Sequence, residues 1–374
     1  MVIALIAIML LFQITTEGIM FKPMNVTNLI MQNSYVLILA VGMLLVIVTG
    51  NIDLSVGSVV AFIGAVSAVL MVDLKMDVVP AIFLSLAIGG LVGAAQGFFV
   101  AFLKIPAFIV TLAGMLVFRG LTMVILQGQT KAPFEKSFQA IANGFLPGMD
   151  LRFNMLNIIA LVLGVVFSIL FIVAALSARK NKQKYNFEVI PVWMEVARLI
   201  LLIAAINFMT WTLAMYNGVP IILLVLLGLI VVYSFITQRT IPGRHIYALG
   251  GNAKAAKLSG VKTDWVQFWV FVNMGLLAAF AALVVAGRLN AATPKAGDGF
   301  ELDAIAACFI GGASTSGGVG TVVGTIVGGL VMGVLNNGMS IMGVSVDWQK
   351  VIKGLVLLGA VCFDVYTKTR SQSK

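Results

Sequence analysis

Residues 29–57 read LIMQNSYVLILAVGMLLVIVTGNIDLSVG. The stretch 29–49 is long enough to cross a bilayer as one helix, which takes about 20 apolar residues. Its apolar run is continuous rather than alternating, so it reads as a helix and not as a barrel strand. The run stops at Gly50, an acid follows at Asp53, and a second apolar stretch begins at once. The pattern recurs along the chain. Candidate spans are 2–14 (short), 29–49, 54–72, 81–103, 106–126, 153–177, 196–216, 219–237, 266–287, 303–320, 321–343 and 350–366. The stretch 303–320 is interrupted by GGASTSGG and is a candidate partial span. The expected fold class is all-α, a polytopic membrane protein of about 10–12 transmembrane helices. Met1 leads straight into VIALIAIMLLF without a basic leader or a small-residue cleavage site. That start is expected to be a first membrane helix, with a cytoplasmic leader missing, rather than a signal peptide.

Composition agrees. The chain is 61% hydrophobic and 10% charged, where a soluble domain carries about 25% charge. Mean hydropathy is +1.09. A soluble enzyme is therefore excluded. The net charge of +10 belongs to cytoplasmic loops under the positive-inside rule. No dense basic patch with interleaved aromatics is present, so nucleic acid is not a partner. With the N-terminus inside, the inner loops are 178–195, holding Arg179, Lys180, Lys182 and Lys184, and 238–264, holding Arg239, Arg244, Lys254, Lys257 and Lys262. The tail with Lys368, Arg370 and Lys374 is also inside, whereas Lys131, Lys136, Lys350 and Lys353 fall on the other side. Cys308 and Cys362 lie in apolar runs and read as packed thiols, neither a disulfide nor a metal pair. With His245 the one histidine, a histidine-based metal site has no material, and neither a metal nor a cofactor is expected.

A repeat runs through the chain. GGLV at 89–92 returns at 328–331, Gln96-Gly97 faces Asn337-Gly338, and Ile52-Asp53-Leu54 faces Phe300-Glu301-Leu302. The copies are 50–126 and 298–366. Seven candidate spans separate Asp53 from Glu301, and an odd number puts the copies in the membrane in opposite senses. Inverted repeats of this kind place a transport pathway at their interface.

Several polar groups stand where lipid penalises them. In GNIDLSVG, Asn51, Asp53 and Ser55 either cap the next helix or line a substrate path. Glu301 and Asp303 in GFELD carry the same two readings. Gln96, Asn336 and Asn337 either bind a hydroxylated ligand or tie helices together. Arg119, mid-span in LAGMLVFRGLTMVIL, either snorkels to an interface or pairs with an acid. Gly89, Gly90, Gly93 and Gly97 permit close helix contact. The chain has no G-x-x-x-x-G-K-[ST], so it binds no nucleotide through a P-loop. Gly318-Val319-Gly320 follows no strand, and no span carries the ladder of charges of a proton pump or voltage sensor. Between the apolar runs, residues 243–262 read GRHIYALGGNAKAAKLSGVK, a short, basic, helix-forming segment suited to contact with a partner protein.

GNIDLSVGS (50–58), ALGGNAKAAKLSGV (248–261), GFELDAIAACFIGGASTSGGVGTVVGT (299–325) and GVLNNGMSIMGVSVDWQKVIKGLVLL (333–358) together resemble the permease subunits of bacterial ABC monosaccharide importers. The resemblance is to the ribose, xylose and multiple-sugar branch and covers nearly the whole chain. It implies one transmembrane permease domain over 1–374, type II-importer-like, in the bacterial inner membrane. It implies a second permease copy in a homodimer, an ABC ATPase subunit on the cytoplasmic face and an extracytoplasmic sugar-binding protein, with membrane lipid around it. By the same resemblance Gly250, Gly251, Asn252, Ala255, Ala256 and Gly260 match the segment that couples to the ATPase, within 243–262. Ribose-type permeases pass almost directly from a loop like NGFLPG (143–148) to one like NGVPIIL (217–223); here an inserted helical hairpin, 153–216, intervenes, as in xylose and multiple-monosaccharide permeases. Two alternatives remain: an ABC permease for branched-chain amino acids or nucleosides, and an ion-coupled secondary transporter using Asp53, Glu301 and Asp303. Uncharged amides suit a sugar better than a zwitterion.

Overall fold

The computed structural model describes residues 2–146, 152–153, 156–185, 187, 189 and 191–372, with no side chains at 152–153 or beyond 362. The inner-side cation Lys374 and part of the loops NGFLPG and ARKNKQKYNFE lie outside the described residues. Fifteen helices follow one another, with one two-residue hairpin, Arg152–Phe153 paired with Leu156–Asn157. The protein is an all-α polytopic membrane protein. Contacts divide it into two units. One comprises Met1–Met20, Leu29–Asn143 and Ile222–Lys374; the other comprises Phe21–Asn28 and Gly144–Ile221.

The first unit begins with α1 (Val2–Thr15) and most of α2 (Pro23–Val48). Then come α3 (Val56–Ala68, continued by a π turn over Val69–Asp73), α4 (Val78–Ala101), α5 (Ala107–Leu126) and the short α6 (Lys136–Asn143). The second unit holds α7 (Ile158–Lys184) and α8 (Val192–Ala214). The first unit resumes with α9 (Ile221–Arg239), α10 (Ile241–Gly251), α11 (Ala253–Leu258), α12 (Thr263–Leu289), α13 (Phe300–Ile310), α14 (Val322–Ile341) and α15 (Val346–Gln372).

Among the described residues, nine helices are long and apolar enough to cross a membrane. Three of the twelve sequence segments are not among these nine. The first helix has 14 described residues, about 21 Å at 1.5 Å per residue. The segment 303–320 yields only the 11 residues of α13, because Gly311 and Gly312 end it and glycine-rich backbone takes over. At α15 the helix is long, but it opens with Asp347, Lys350 and Lys353, charges that lower its apolar average. Seven of the nine apolar helices lie between Asp53 and Glu301.

Close packing in the first unit rests on small residues. α4 lies along α12 through Gly89, Gly93 and Gly97, whose missing side chains admit Ala279, Phe271 and Phe268 of α12. α3 packs on α4 and α5, and α13 packs on α14 and α15. α1 rests on α14, with Phe12 over Gly338. In the second unit α7 and α8 form an antiparallel pair, joined by Asn207 donating to the Ser168 hydroxyl at 2.9 Å. Cys308 and Cys362 are both free; Cys308 is buried and donates to the Ala40 carbonyl at 3.4 Å. The expectation that both are packed fails at Cys362, which is exposed because it sits on the outer face of α15.

Three of the lysines that fall on the less basic side each face an aspartate. Lys131 bonds Asp73, Lys350 bonds Asp298 at 2.8 Å, and Lys353 bonds Asp303 at 3.0 Å. Their charge is thus compensated locally. The Lys350 ammonium holds the exposed Asp298 carboxyl below its ordinary range. That small contribution is present at neutral pH and fades as pH falls through the lowered value.

Candidate translocation site

The polar residues singled out in the sequence gather at three places in the first unit. The first is the junction of α2 and α3. Asp53 is buried, and its Oδ1 accepts from the Ser55 amide at 2.8 Å and the Ser55 hydroxyl at 2.7 Å. Ser55 occupies the position before α3, but its hydroxyl caps nothing; it accepts instead from the Gln96 amide of α4 at 2.8 Å. Asp53 therefore closes a turn before the helix and does not cap the helix amides, so neither side chain is a conventional cap. Gly114 of α5 leaves the room that the Gln96 amide fills. Asn51 reaches Thr49, and its oxygen accepts from Gln267 of α12 at 3.4 Å.

The second place is where α3 meets the segment before α13. Gly57 and Gly297 touch backbone to backbone, and Glu301 lies against Gly57. Gly297 has φ of 73°, a conformation glycine adopts without strain. Arg119 forms no ion pair among the described residues. Its Nη1 donates to the carbonyls of Ala296 at 2.7 Å and Pro294 at 3.2 Å, pinning this segment to α5.

The third is a cavity of about 260 Å³ lined by Gln32, Asn33 and Tyr35 of α2, Arg288 of α12, Phe300 of α13, and Asn336, Asn337 and Ser340 of α14. Tyr35 stacks on Phe300 with ring centroids 3.9 Å apart. Asn336 stands beside the buried Asp303, and its Oδ1 is buried without a partner. Asp303 itself is neutralised by Lys353. The lining holds one cation and no carboxylate among the described residues. Its size is just under the ~300 Å³ at which drug-sized pockets begin, suiting one small polar molecule.

Asn336 and Asn337 thus share a cavity, whereas Gln96 belongs to the Asp53 cluster. Tyr35, Phe300 and Arg288 were not singled out. A stacked aromatic pair contributed by helices more than 250 residues apart leaves no local pattern, although Arg288 at the end of an apolar run is a visible signal.

The segment 243–262 forms α10 and α11 with a break at Asn252, whose side chain accepts from the Ala255 amide at 3.0 Å and starts α11. α10 lies against the end of α2 and the glycine-rich stretch after α13. Gly250 packs on the Val48 carbonyl and on Gly318, the Gly318 amide donates to Val48 at 2.8 Å, and Tyr247 donates to the Gly320 carbonyl at 2.7 Å. Ala256 is buried, whereas Gly251, Asn252, Ala255 and Gly260 are exposed, as is Leu258 at 89%. From Val48 to Tyr35 is roughly 20 Å along α2, so this contact lies at the C-terminal end of the helix and the cavity about half-way along it.

The family described as "Branched-chain amino acid transport system / permease component" matches residues 25–361. The xylose transport system permease protein of Escherichia coli K12 is 41% identical over 371 residues, 99% of this chain and 92% of that protein. Its counterpart in Haemophilus influenzae is 37% identical over 99% of this chain and 96% of its own. The ribose import permease protein of Escherichia coli K12 is 36% identical over 96% of this chain and 92% of its own. No solved structure matches. With its apolar helices, this similarity makes the chain a multi-pass inner-membrane protein and a transport component rather than an enzyme. The chain belongs to the ABC-importer permease family in which the xylose and ribose permeases stand.

Proposed function

We propose that this chain forms the translocation path of an ATP-driven importer for a neutral monosaccharide such as xylose. The observation that carries the substrate class is the 260 Å³ cavity, with its amides and its Tyr35–Phe300 stack. Amides give and take hydrogen bonds with hydroxyls, and an aromatic surface covers the apolar face of a sugar ring. Arg288 supplies one charge that could meet an amino acid carboxylate, but no lining carboxylate meets its ammonium. Two of the three acids named for ion coupling are otherwise engaged, Asp53 by Ser55 and Asp303 by Lys353.

The path runs between two inverted copies, 50–126 and 298–366. Support comes from their matching order and from the seven apolar helices between Asp53 and Glu301. The cavity opens toward an extracytoplasmic sugar-binding protein. An ABC ATPase grips 243–262 from the cytoplasm, and its motion reaches the end of α2 and the stretch after α13 through Gly250 and Gly318. Two permease copies assemble as a homodimer, and 153–216 is a hairpin added to the ribose-type plan.

Vesicles carrying the permease, its ATPase and candidate binding proteins test this reading. ATP-dependent xylose uptake is expected. Leucine uptake without sugar uptake sinks the sugar assignment, and uptake on a proton or sodium gradient without ATP sinks the importer reading.

A further inference from the structure

The second unit contains a cavity that the transport path does not use. It lies between α7 and α8 beside their connecting turn and measures about 550 Å³. Its α7 wall is low, made by Ala174, Ala175 and Ala178, and its α8 wall includes Leu199 and Leu202. At its polar end stand Arg179, Lys182 and Arg198, with Glu195 the one lining carboxylate among the described residues. Arg179 is bonded to Glu195, so among the described residues Lys182 and Arg198 face the cavity without a carboxylate to balance them. The outer faces of both helices are exposed and apolar, at Val165, Ile169, Val173 and Leu201 among others, which puts acyl chains beside the cavity.

A soluble anion needs the cations but not the alanine-floored wall, and a neutral lipid needs the wall but not the cations. Charge complementarity and apolar lining together select one occupant. We propose that the α7–α8 cavity holds an anionic glycerophospholipid, its phosphate on Arg198 and Lys182 and one acyl chain along Ala174, Ala178 and Leu202. Basic pockets between membrane helices bind anionic headgroups on these grounds. Bound there, the lipid fills the space between two helices that otherwise meet over part of their length. The assignment is independent of which solute is transported.

The experiment uses the full-length permease reconstituted in phosphatidylcholine nanodiscs with or without phosphatidylglycerol, followed by native mass spectrometry of retained lipid. The wild type is expected to keep phosphatidylglycerol in preference to phosphatidylcholine. The pair Arg198→Gln and Lys182→Gln is expected to weaken that retention about tenfold, as loss of charge-assisted contacts implies. The pair Lys180→Gln and Lys184→Gln removes equal charge from exposed positions that do not line the cavity, and it should leave the preference intact. Ala178→Trp, which fills the cavity and spares the cations, should expel the lipid. Equal retention of both lipids, equal losses in the two charge pairs, or retention unaffected by Ala178→Trp overturns the proposal. Displacement of the lipid by inorganic phosphate alone would assign the cations to a soluble anion and overturn it as well.

Discussion

At the scale of single residues, the cavity and the glycine contact make opposite demands. The Tyr35–Phe300 stack stands at the centroid separation of a close aromatic pair, worth about 0.5–1.5 kcal/mol beyond its buried area. Phe300→Leu keeps an apolar side chain but loses the stack, and should slow uptake about 3–10-fold with little change in folded yield. Asn336→Leu should act similarly, because one neutral hydrogen bond to a sugar hydroxyl is worth about 0.5–1.5 kcal/mol. Arg288→Gln separates the substrate classes. A sugar tolerates the glutamine within about tenfold, whereas a carboxylate that relied on the guanidinium loses about 1.5–3 kcal/mol, near the hundredfold range. Competition uptake of xylose and leucine by the same vesicles reads both. Gly57→Ala is a stability change instead. Its new methyl would run into the Gly297 carbonyl and the Glu301 carboxylate, and overpacking of backbone costs about 1–3 kcal/mol. A lowered melting temperature in detergent is expected, with Gly64→Ala, which meets nothing, unchanged.

At the scale of elements, α11 is the informative piece. Leu258 is 89% exposed and Ala256 is 5% exposed on the same six-residue helix. Aspartate at Ala256 would disturb the permease itself, so it does not isolate a partner contact. Leu258→Asp does: the chain should insert and purify normally, while ATP-driven uptake and the co-purified ATPase fall together. Retained uptake would remove this helix from the coupling contact. The existence of most helices was readable from continuous apolar runs, since lipid allows little else. Their ends were less so. The start of α7 at Ile158 rather than at 153 follows a strand pairing, Arg152 with Asn157, that carries no apolar signal. Glycine punctuation did mark the end of α13, but whether it interrupts or terminates a span depends on what packs there. Long-range pairs were hidden altogether. Arg119 with Pro294 and Ala296, Lys353 with Asp303, and Gly57 with Gly297 are set by tertiary approach, and a one-dimensional pattern shows only that such residues need partners. At the sites, the amides could be named as candidates, yet their division between a cavity and a structural cluster could not.

At the scale of the whole chain, topology ties the proposals together. The first-unit cavity meets α2 about half-way along its length and the α10 contact meets its C-terminal end, a separation that suits solute arriving from one face and an ATPase acting on the other. Under the positive-inside rule the basic α10–α11 segment and the basic α7–α8 connection are expected in the cytoplasm. By the same parity α6 is expected outside. Single cysteines can check every assignment once the exposed Cys362 is replaced by serine; Cys308 is buried and will not report. Asn181, Lys254 and Lys136 are all exposed, so each tolerates the substitution without packing loss. In intact cells stripped of their outer barrier, Lys136→Cys should react with a membrane-impermeant maleimide, while Asn181→Cys and Lys254→Cys should not. In inside-out vesicles the pattern should reverse. Outside labelling at Asn181 alone would break the added-hairpin reading and leave the importer intact. Outside labelling at Lys254 would place the exposed α11 beyond the reach of any cytoplasmic ATPase and remove the coupling mechanism. Inside labelling at Lys136 would break the odd count of crossings between Asp53 and Glu301, and with it the inverted relation of the two copies that brings the path between them.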